Sequence, residues 1–197
     1  MEGDAKMRII AGSAKNKRIK TLPGEKVRPT SDRIKESLFS MLNLNSSMKV
    51  LDLFSGTGNL GIEALSRGVN YCTFVEISRT AFNTLKENVR VCRFENKSEL
   101  IRGDVYNCIK KLKNQEKKYD LIFADPPYEQ NHINELLSND YLPDIITSNG
   151  LLMIEHSSKE LPNLEEVCEV KKTIKWSIIK QKVYGGTYLT FLIKEVK

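Results

Sequence analysis

Two short motifs contain the residues whose types and spacing are best suited to chemistry. In one, Asp125-Pro126-Pro127-Tyr128 directly follows an apolar run. The lone pair of an exocyclic amine is delocalised into its ring, and acceptors for both of its N–H groups localise that pair on nitrogen. Asp125 supplies a carboxylate acceptor and Pro126 a carbonyl, Pro127 stiffens the turn, and Tyr128 offers a ring for stacking on a base. The motif predicts methyl transfer to a nucleobase amine, and a plain strand-ending turn is the alternative.

The other motif is a glycine loop that lies earlier in the chain. Gly56-Thr57-Gly58-Asn59-Leu60-Gly61 matches the dinucleotide fingerprint, and Glu76 stands where that fingerprint places an acid for a ribose diol. Asp52, in the preceding strand, would face a pyrophosphate at close range, which disfavours an NAD-linked oxidoreductase. It suits S-adenosylmethionine, which carries a sulfonium and an amino group and no phosphate. Taken alone, Asp52 also fits a helix-capping or turn carboxylate.

S-adenosylmethionine is therefore the predicted cofactor. Glycines let the backbone of the loop approach such a ligand closely. Asp104, which follows the third predicted strand, is expected to accept a hydrogen bond from the adenine amino group. The full set of predicted donor-binding residues is Asp52, Phe54, Ser55, Gly56, Thr57, Gly58, Glu76, Ile77, Asp104 and Val105.

The positive charge of the chain is concentrated near its beginning. The net charge is +6, and residues 1–49 hold 11 lysines and arginines against five acids, which accounts for the whole excess. A basic segment of this kind suits a polyanion because each neutralised phosphate releases a counterion. On charge alone, a solvated surface without a partner is an equal alternative. The predicted RNA-binding residues are Arg8, Lys15, Lys17, Arg18, Lys20 and Arg28.

The four cysteines and two histidines do not predict a metal site. No two cysteines form a Cys-x-x-Cys pair. Reduced thiols in a cytoplasmic protein are the simplest interpretation. No run of 18 apolar residues occurs, which excludes a membrane-spanning helix from the expected structure.

Alternating strands and helices are expected to position both motifs. Residues 8–22 suggest a hairpin, and the spacing of Ile34, Leu38, Met41 and Leu42 predicts a helix. Beyond residue 49, the predicted strands are 50–54, 71–75, 98–102, 119–124 and 151–154, and the predicted helices are 60–67, 79–92, 105–112 and 133–146, the last interrupted by Pro143. Two further strands, 174–179 and 188–193, flank a Gly185-Gly186 turn. This order predicts an α/β fold with a doubly wound, mostly parallel sheet, whose ligands bind at the carboxyl ends of the strands.

The chain resembles the RsmD family of bacterial 16S ribosomal RNA guanine-N2 methyltransferases over nearly its whole length. The matching stretches are Arg8-Ile9-Ile10-Ala11-Gly12, Arg28-Pro29-Thr30, Asp32-Arg33, Lys35-Glu36, Asp52-Leu53-Phe54-Ser55-Gly56-Thr57-Gly58, Glu63-Ala64-Leu65-Ser66-Arg67-Gly68, Phe74-Val75-Glu76, Asp125-Pro126-Pro127-Tyr128 and Tyr184-Gly185. The resemblance implies a Rossmann-like methyltransferase fold with a seven-stranded sheet, an antiparallel C-terminal hairpin and a basic N-terminal hairpin that holds RNA. It also implies S-adenosylmethionine as donor and the N2 amine of guanine 966 as target. The expected domains are a hairpin and loop at 7–30 and a methyltransferase domain at 31–197.

Several alternatives remain open at this point. The Asp-Pro-Pro-Tyr motif also suits an adenine-N6 DNA methyltransferase, although the chain has no room for a sizeable recognition domain. A non-enzymatic RNA-binding module would leave the donor motif unexplained. Family members often have an acid after the Tyr-Gly pair, where this chain has Gly186, so no site residue is assigned there. The expected partner is 16S ribosomal RNA, naked or in an assembled small subunit, and a monomer without membrane contact is expected.

Overall fold

The computed structural model describes residues 6–22, 29–127, 131–160, 162 and 174–196, and it divides into two compact units at residues 103 and 104. In the described part of the first unit, β3, β4 and β5 are parallel neighbours in the order β5-β4-β3. Its elements are β1 (Lys6–Arg8), β2 (Arg18–Lys20), α1 (Pro29–Ser40), β3 (Lys49–Leu53), α2 (Asn59–Ser66), β4 (Tyr71–Glu76), α3 (Arg79–Cys92), a 3₁₀ turn (Glu95–Lys97) and β5 (Ser98–Arg102).

The second unit contains the remaining strands. β6 and β7 are parallel, whereas β9 pairs antiparallel with both β7 and β8, in the order β6-β7-β9-β8. The elements are α4 (Val105–Asn114), β6 (Tyr119–Ala124), α5 (His132–Leu137), α6 (Leu142–Ile145), β7 (Ile146–Ser157), β8 (Ile174–Tyr184) and β9 (Thr187–Val196). In the described residues, strands β3–β9 belong to one seven-stranded sheet. The predicted mostly parallel sheet with an antiparallel C-terminal hairpin is confirmed.

The predicted elements differ from the observed ones mainly at their ends. β7 begins at Ile146 and includes Gly150, whereas the sequence predicted a strand only over 151–154. The helical stretch around Pro143 consists of two short helices, and Pro143 lies in the first turn of α6, where its missing N–H costs no helical hydrogen bond. Gly68, with φ of 101°, follows α2 as its C-terminal pattern predicted. In the described residues, none of the helices combines the length and the apolar character that crossing a membrane requires.

The predicted N-terminal hairpin is present but short, and it packs against the rest of its unit. β1 and β2 pair antiparallel with Met7 opposite Ile19, and Ile9 and Ile19 are fully buried. Gly12 has φ of 81°, and a Cβ on it would lie 1.8 Å from the Ser66 carbonyl oxygen. This close backbone contact explains why glycine stands there. The division into domains at residue 30 stays a prediction, and the Pro23-Gly24 break lies outside the described residues.

His156, in the second unit, is a buried histidine whose protonation is expected to destabilise the fold. It is fully buried, its Nδ1 donates to the Ser157 carbonyl at 2.9 Å, and its Nε2 lies 2.7 Å from Thr190 Oγ1. Burial lowers the pKa of His156, although the Ser157 carbonyl and the charge of Glu160 act in the opposite direction. A depressed pKa in the folded state means that the unfolded chain takes up the proton first.

We therefore expect stability to fall as the pH drops below about 6.5, the ordinary pKa of histidine. The measurement is the thermal unfolding midpoint between pH 7.5 and 5. His156→Gln, which cannot take up this proton, is expected to flatten the acid-side loss, whereas His132→Gln keeps the His156 contribution. If the unfolding midpoint fell equally steeply with decreasing pH in the wild type and in His156→Gln, the expectation would be contradicted.

Candidate active site

The loop after β3, residues 54–58, has an unusual backbone conformation. Phe54, Gly56 and Gly58 have φ of 56°, 55° and 88°, in the left-handed region that is costly for a non-glycine residue. A Cβ on Gly58 would lie 2.4 Å from Cδ1 of Leu85, so a larger residue there would displace this side chain in addition to straining the backbone. A Cβ on Gly56 would meet no atom within 4 Å. The open side of Gly56 therefore leaves room for a ligand close to the backbone.

Asp52, in β3, and Ser55, within the loop, hold the loop in place. Asp52 is 2% exposed, and its Oδ2 accepts a 2.9 Å hydrogen bond from the Gly61 amide in the first turn of α2. Ser55 Oγ accepts a 2.9 Å bond from the Val75 amide, which joins the loop to β4. Asp52 thus has the helix-capping contact that was its structural alternative. Its contact with the donor stays a prediction.

Glu76, at the end of β4, holds the other side of the loop. Its Oε2 accepts from the Gly56 amide at 2.7 Å and its Oε1 from the Ser78 amide at 2.6 Å. Each carboxylate oxygen has a second lone pair, so acceptor capacity remains for a ribose diol. The next residue, Ile77, is 65% exposed and offers an apolar surface to an adenine ring. Gly56, Glu76 and Ile77 therefore fit the adenosine part of S-adenosylmethionine.

Asp104, the first residue of the second unit, caps α4. Its Oδ1 accepts a 3.0 Å hydrogen bond from the Asn107 amide, and the side chain stays partly exposed. The neighbouring Val105 is buried at 4% exposure. The adenine contact assigned to Asp104 and the donor contact assigned to Val105 stay predictions, and the structure gives Asp104 a capping role in addition.

The Asp-Pro-Pro motif follows β6 as predicted. Asp125 and Pro127 are exposed, whereas Pro126 between them is buried. A buried proline with a fixed φ restricts the turn, so the backbone around Pro126 is held while the Asp125 side chain reaches solvent. Tyr128, the last member of the motif, lies outside the described residues. The geometry is compatible with a carboxylate and a carbonyl presented to an incoming amine.

Glu155, on β7, is an acidic neighbour of Asp125 that no sequence motif indicates. Burial and, to a smaller extent, the negative charge of Asp125 together raise the pKa of Glu155 to about 8. Both influences favour the protonated form of Glu155. Only the register of β6 and β7, in which Ala124 lies opposite Ile154, places these two carboxyl groups near each other.

The predicted RNA-binding residues divide into two groups. Some are already engaged: Arg8 Nε lies 2.9 Å from Asp32, Lys17 Nζ donates to the Val91 carbonyl at 2.9 Å, and Lys20 Nζ lies 2.6 Å from Glu87. Lys15 and Arg18 are exposed and have no ion pair in the described part of the chain. Arg28 lies outside the described residues.

An open groove of about 500 Å³ lies beside this basic segment. The residues that line it include Arg8, Lys15, Asn16, Asp32, Arg33 and Glu36. Arg33 belongs to the positive excess of residues 1–49 but was not among the predicted RNA-binding residues. Cations from both the hairpin and α1 therefore border one groove, together with the acids Asp32 and Glu36.

The cysteines that the structure describes are buried, neutral thiols. Burial raises the pKa of the Cys72, Cys92 and Cys108 thiols, and a neutral thiol is a poor nucleophile and ligand. Cys168 lies outside the described residues. Within the described ranges, no group of three or more His, Cys, Asp or Glu side chains is arranged to hold a metal ion.

Comparisons with known proteins place the chain in a family. The model of the family described as conserved hypothetical protein 95 matches residues 7–193. The ribosomal RNA small subunit methyltransferase D of Buchnera aphidicola is 33% identical over 183 residues, covering 91% of this chain and 89% of the relative. The protein of the same name from Haemophilus influenzae is 32% identical over 181 residues, again covering 91% and 89%.

A solved structure agrees over the same extent. A hypothetical protein from Thermus thermophilus is 26% identical, with a TM-score of 0.75 over 94% of this chain and 98% of that chain. The family match, the identity of the relatives and the shared fold confirm the resemblance that the motifs suggested. The chain belongs to the RsmD family of ribosomal RNA small subunit methyltransferases.

Proposed function

We propose that this protein transfers a methyl group from S-adenosylmethionine to the exocyclic N2 of a guanine in 16S ribosomal RNA, with guanine 966 as the target. The observation that carries the proposal is the exposed Asp125 carboxylate next to buried Pro126, directly after β6. Two relatives that cover nine tenths of the chain are named small subunit ribosomal RNA methyltransferases. A carboxylate in this position provides the acceptor that an aromatic amine needs.

The donor is assigned to the glycine loop and to the residues that follow β4 and β5. Glu76 accepts hydrogen bonds from the ribose hydroxyls, and Asp104 accepts one from the adenine amine. Ile77 contacts the adenine ring. Asp52 and Ser55 are also assigned to the donor, and their observed hydrogen bonds with the Gly61 amide of α2 and the Val75 amide of β4 hold the loop between these elements. A loop held in this way is in place before the donor arrives, which lowers the entropy cost of binding.

The chemical step depends on positioning. The N2 lone pair attacks the methyl carbon while the carbon–sulfur bond breaks, and its electron pair stays on the sulfur of S-adenosylhomocysteine. The Asp125 carboxylate and the Pro126 carbonyl accept hydrogen bonds from the two N–H groups of the amine. These hydrogen bonds localise the lone pair on N2. The proton that N2 then loses passes to Asp125 or to water. The guanine must leave any base stack first, and Tyr128 is assigned to stack on it.

The experiment that tests the proposal maps modified nucleotides in 16S ribosomal RNA from cells with and without this protein. We expect one N2-methylguanine to depend on it and to be restored by purified protein with S-adenosylmethionine. Purified small subunits, naked 16S ribosomal RNA and duplex DNA serve as parallel substrates. Methylation of adenine in DNA alone would favour the N6 alternative and overturn the proposal. Saturable NAD binding comparable with S-adenosylhomocysteine binding would overturn the donor assignment.

The basic hairpin is proposed to contact phosphates of the RNA. Replacing Lys15, Lys17 and Arg18 together with alanine is expected to weaken RNA binding and to reduce the log–log salt slope by roughly 2 to 3, because each lost phosphate contact removes about 0.7–0.9 from its magnitude. The measurement is RNA affinity at several salt concentrations, with S-adenosylhomocysteine affinity expected to stay the same.

A matched control removes three positive charges from α4 by replacing Lys110, Lys111 and Lys113, which are all exposed. This control is expected to leave the salt slope close to that of the wild type. If the hairpin variant kept the wild-type RNA affinity and salt slope, Lys15, Lys17 and Arg18 would form only a solvated surface of the protein. The cytoplasmic location and the monomeric state remain predictions.

A further inference from the structure

Two buried polar side chains, Asn88 and Lys35, connect the N-terminal segment (residues 6–22) with the donor loop (residues 54–58) or the residue that follows it. They are 1% and 3% exposed. Their partners are 24 to 68 residues away along the chain. Neither residue belongs to the sequence motifs that predicted the donor or the amine site.

Asn88 on α3 makes three hydrogen bonds with a single amide group. Its Oδ1 accepts from the Lys20 amide at 2.8 Å, and its Nδ2 donates to the Lys20 carbonyl and the Thr57 carbonyl, both at 2.9 Å. Both amide protons and the carbonyl oxygen are therefore used. Since Thr57 lies between Gly56 and Gly58, this side chain holds the donor loop and strand β2 at once.

Lys35 on α1 makes a second connection of the same kind. Its Nζ donates to the Arg8 carbonyl and to Asn59 Oδ1, both at 2.7 Å. Asn59 directly follows the donor loop and begins α2. Arg8 ends β1, so the two connections reach the two strands of the hairpin separately.

Other buried contacts fix the N-terminal segment without touching the donor loop. Ser66 lies at the end of α2. Its Oγ donates a hydrogen bond to the Ala11 carbonyl and accepts one from the Ala14 amide at 2.9 Å. Ser66 therefore supplies a natural comparison: it is as buried as Asn88 and Lys35, and it holds the same segment, but at a different place on α2.

We propose that Asn88 and Lys35 are positioning residues that couple RNA binding by the N-terminal segment to donor binding by the loop. Displacing Lys20 or Arg8 without moving the loop would leave buried polar groups without partners, which is costly. When RNA binding favours one position of Lys20 and Arg8, the hydrogen bonds of Asn88 and Lys35 therefore favour one position of the Thr57 carbonyl and of Asn59. The coupling is reciprocal, so bound donor tightens RNA binding by the same factor that bound RNA tightens donor binding. The inference rests on the proposed function.

The test measures the affinity of S-adenosylhomocysteine alone and with saturating small subunits prepared from cells that lack this protein. The ratio of interest is the dissociation constant of S-adenosylhomocysteine measured alone divided by the one measured with small subunits. In the wild type we expect this ratio to be about five or more, the lower end of typical coupling. Asn88→Ala and Lys35→Met are expected to bring the ratio close to one. Ser66→Ala is expected to keep the wild-type ratio even where it weakens RNA binding, because its contacts do not reach the loop.

The ratio separates coupling from a general loss of stability, which lowers both affinities together and leaves the ratio unchanged. If the wild type binds both S-adenosylhomocysteine and small subunits but the ratio is one, this inference is overturned and the proposed function stays intact. Equal ratios in Asn88→Ala, Lys35→Met and Ser66→Ala would also overturn it. Absence of any S-adenosylhomocysteine or subunit binding by the wild type would instead contradict the proposed function. The wild-type measurement requires no variant to fold.

Discussion

Replacement of Asp125 by alanine is expected to lower the rate of methyl transfer by about 100-fold to 1,000-fold, the usual cost of removing one preorganised group that stabilises a transition state. The affinity for S-adenosylhomocysteine is expected to change by less than about threefold, because donor contacts are assigned to other residues. The physical reason is that Asp125 acts on the amine: without its carboxylate, the N2 lone pair stays delocalised and the product proton loses an acceptor. Single-turnover methylation of purified small subunits measures the effect.

Two variants sharpen this measurement. Asp125→Asn keeps the size and one acceptor oxygen but loses the charge, so its rate is expected to lie between wild type and Asp125→Ala. Asp140→Ala removes another exposed carboxylate of the second unit and is expected to leave the rate nearly unchanged. A rate within tenfold of wild type for Asp125→Ala, with all variants folded, would remove the catalytic role of Asp125.

The fold was largely predictable because its signals are local. The apolar strand at 50–54, the glycine loop and Gly68 after α2 each follow from a few neighbouring residues, and the structure places β3, the loop and α2 accordingly. The C-terminal hairpin was also indicated locally, by Gly185-Gly186 between two apolar runs. What local signals missed was extent: β7 continues through Gly150, which the sequence pattern treats as a boundary.

The buried polar contacts were not predictable because their partners are distant in sequence. Asn88 lies within the helical pattern of α3, yet its amide bonds to Lys20 and Thr57. Lys35 reads as one charge of a basic segment, yet it is buried against Asn59 and Arg8. Helical periodicity identifies a buried position, but it does not say which backbone group a polar side chain will meet there.

The acids of the donor motif have a second function that their spacing did not reveal. Asp52 was assigned to the donor because of its charge and Glu76 because of its spacing from the glycine loop, and the structure shows both accepting hydrogen bonds from backbone amides. A carboxylate that accepts amides near a helix N-terminus or a tight loop is stabilised by those dipoles. Their positions thus serve the loop whether or not a ligand is bound, and the loop in turn determines where a ligand can lie.

Glu63 is expected to be the most important buried acid for stability. It is fully buried on α2, and its carboxylate accepts from the Ile10 amide at 2.8 Å, the Ala11 amide at 3.1 Å and Arg67 Nε at 2.7 Å. Lys35 Nζ lies 3.6 Å from it. Burial lowers the pKa of Lys35, and the charge of Glu63 opposes that shift. One carboxylate therefore compensates the cations of Lys35 and Arg67 and accepts hydrogen bonds from two partly buried amides.

Replacing Glu63 with leucine is expected to reduce the free energy of unfolding by about 3–5 kcal/mol, the usual cost of removing one partner of a buried ion pair. Urea unfolding measures this loss, and hydrogen exchange at the Ile10 and Ala11 amides is expected to speed up first. Glu63→Gln keeps the size and one acceptor, so it should lose less. Glu87→Leu, which removes an exposed acid paired with Lys20, provides the control and is expected to keep nearly the wild-type midpoint. If Glu63→Leu unfolded at the same urea concentration as Glu87→Leu, the buried carboxylate would contribute nothing that leucine packing does not replace.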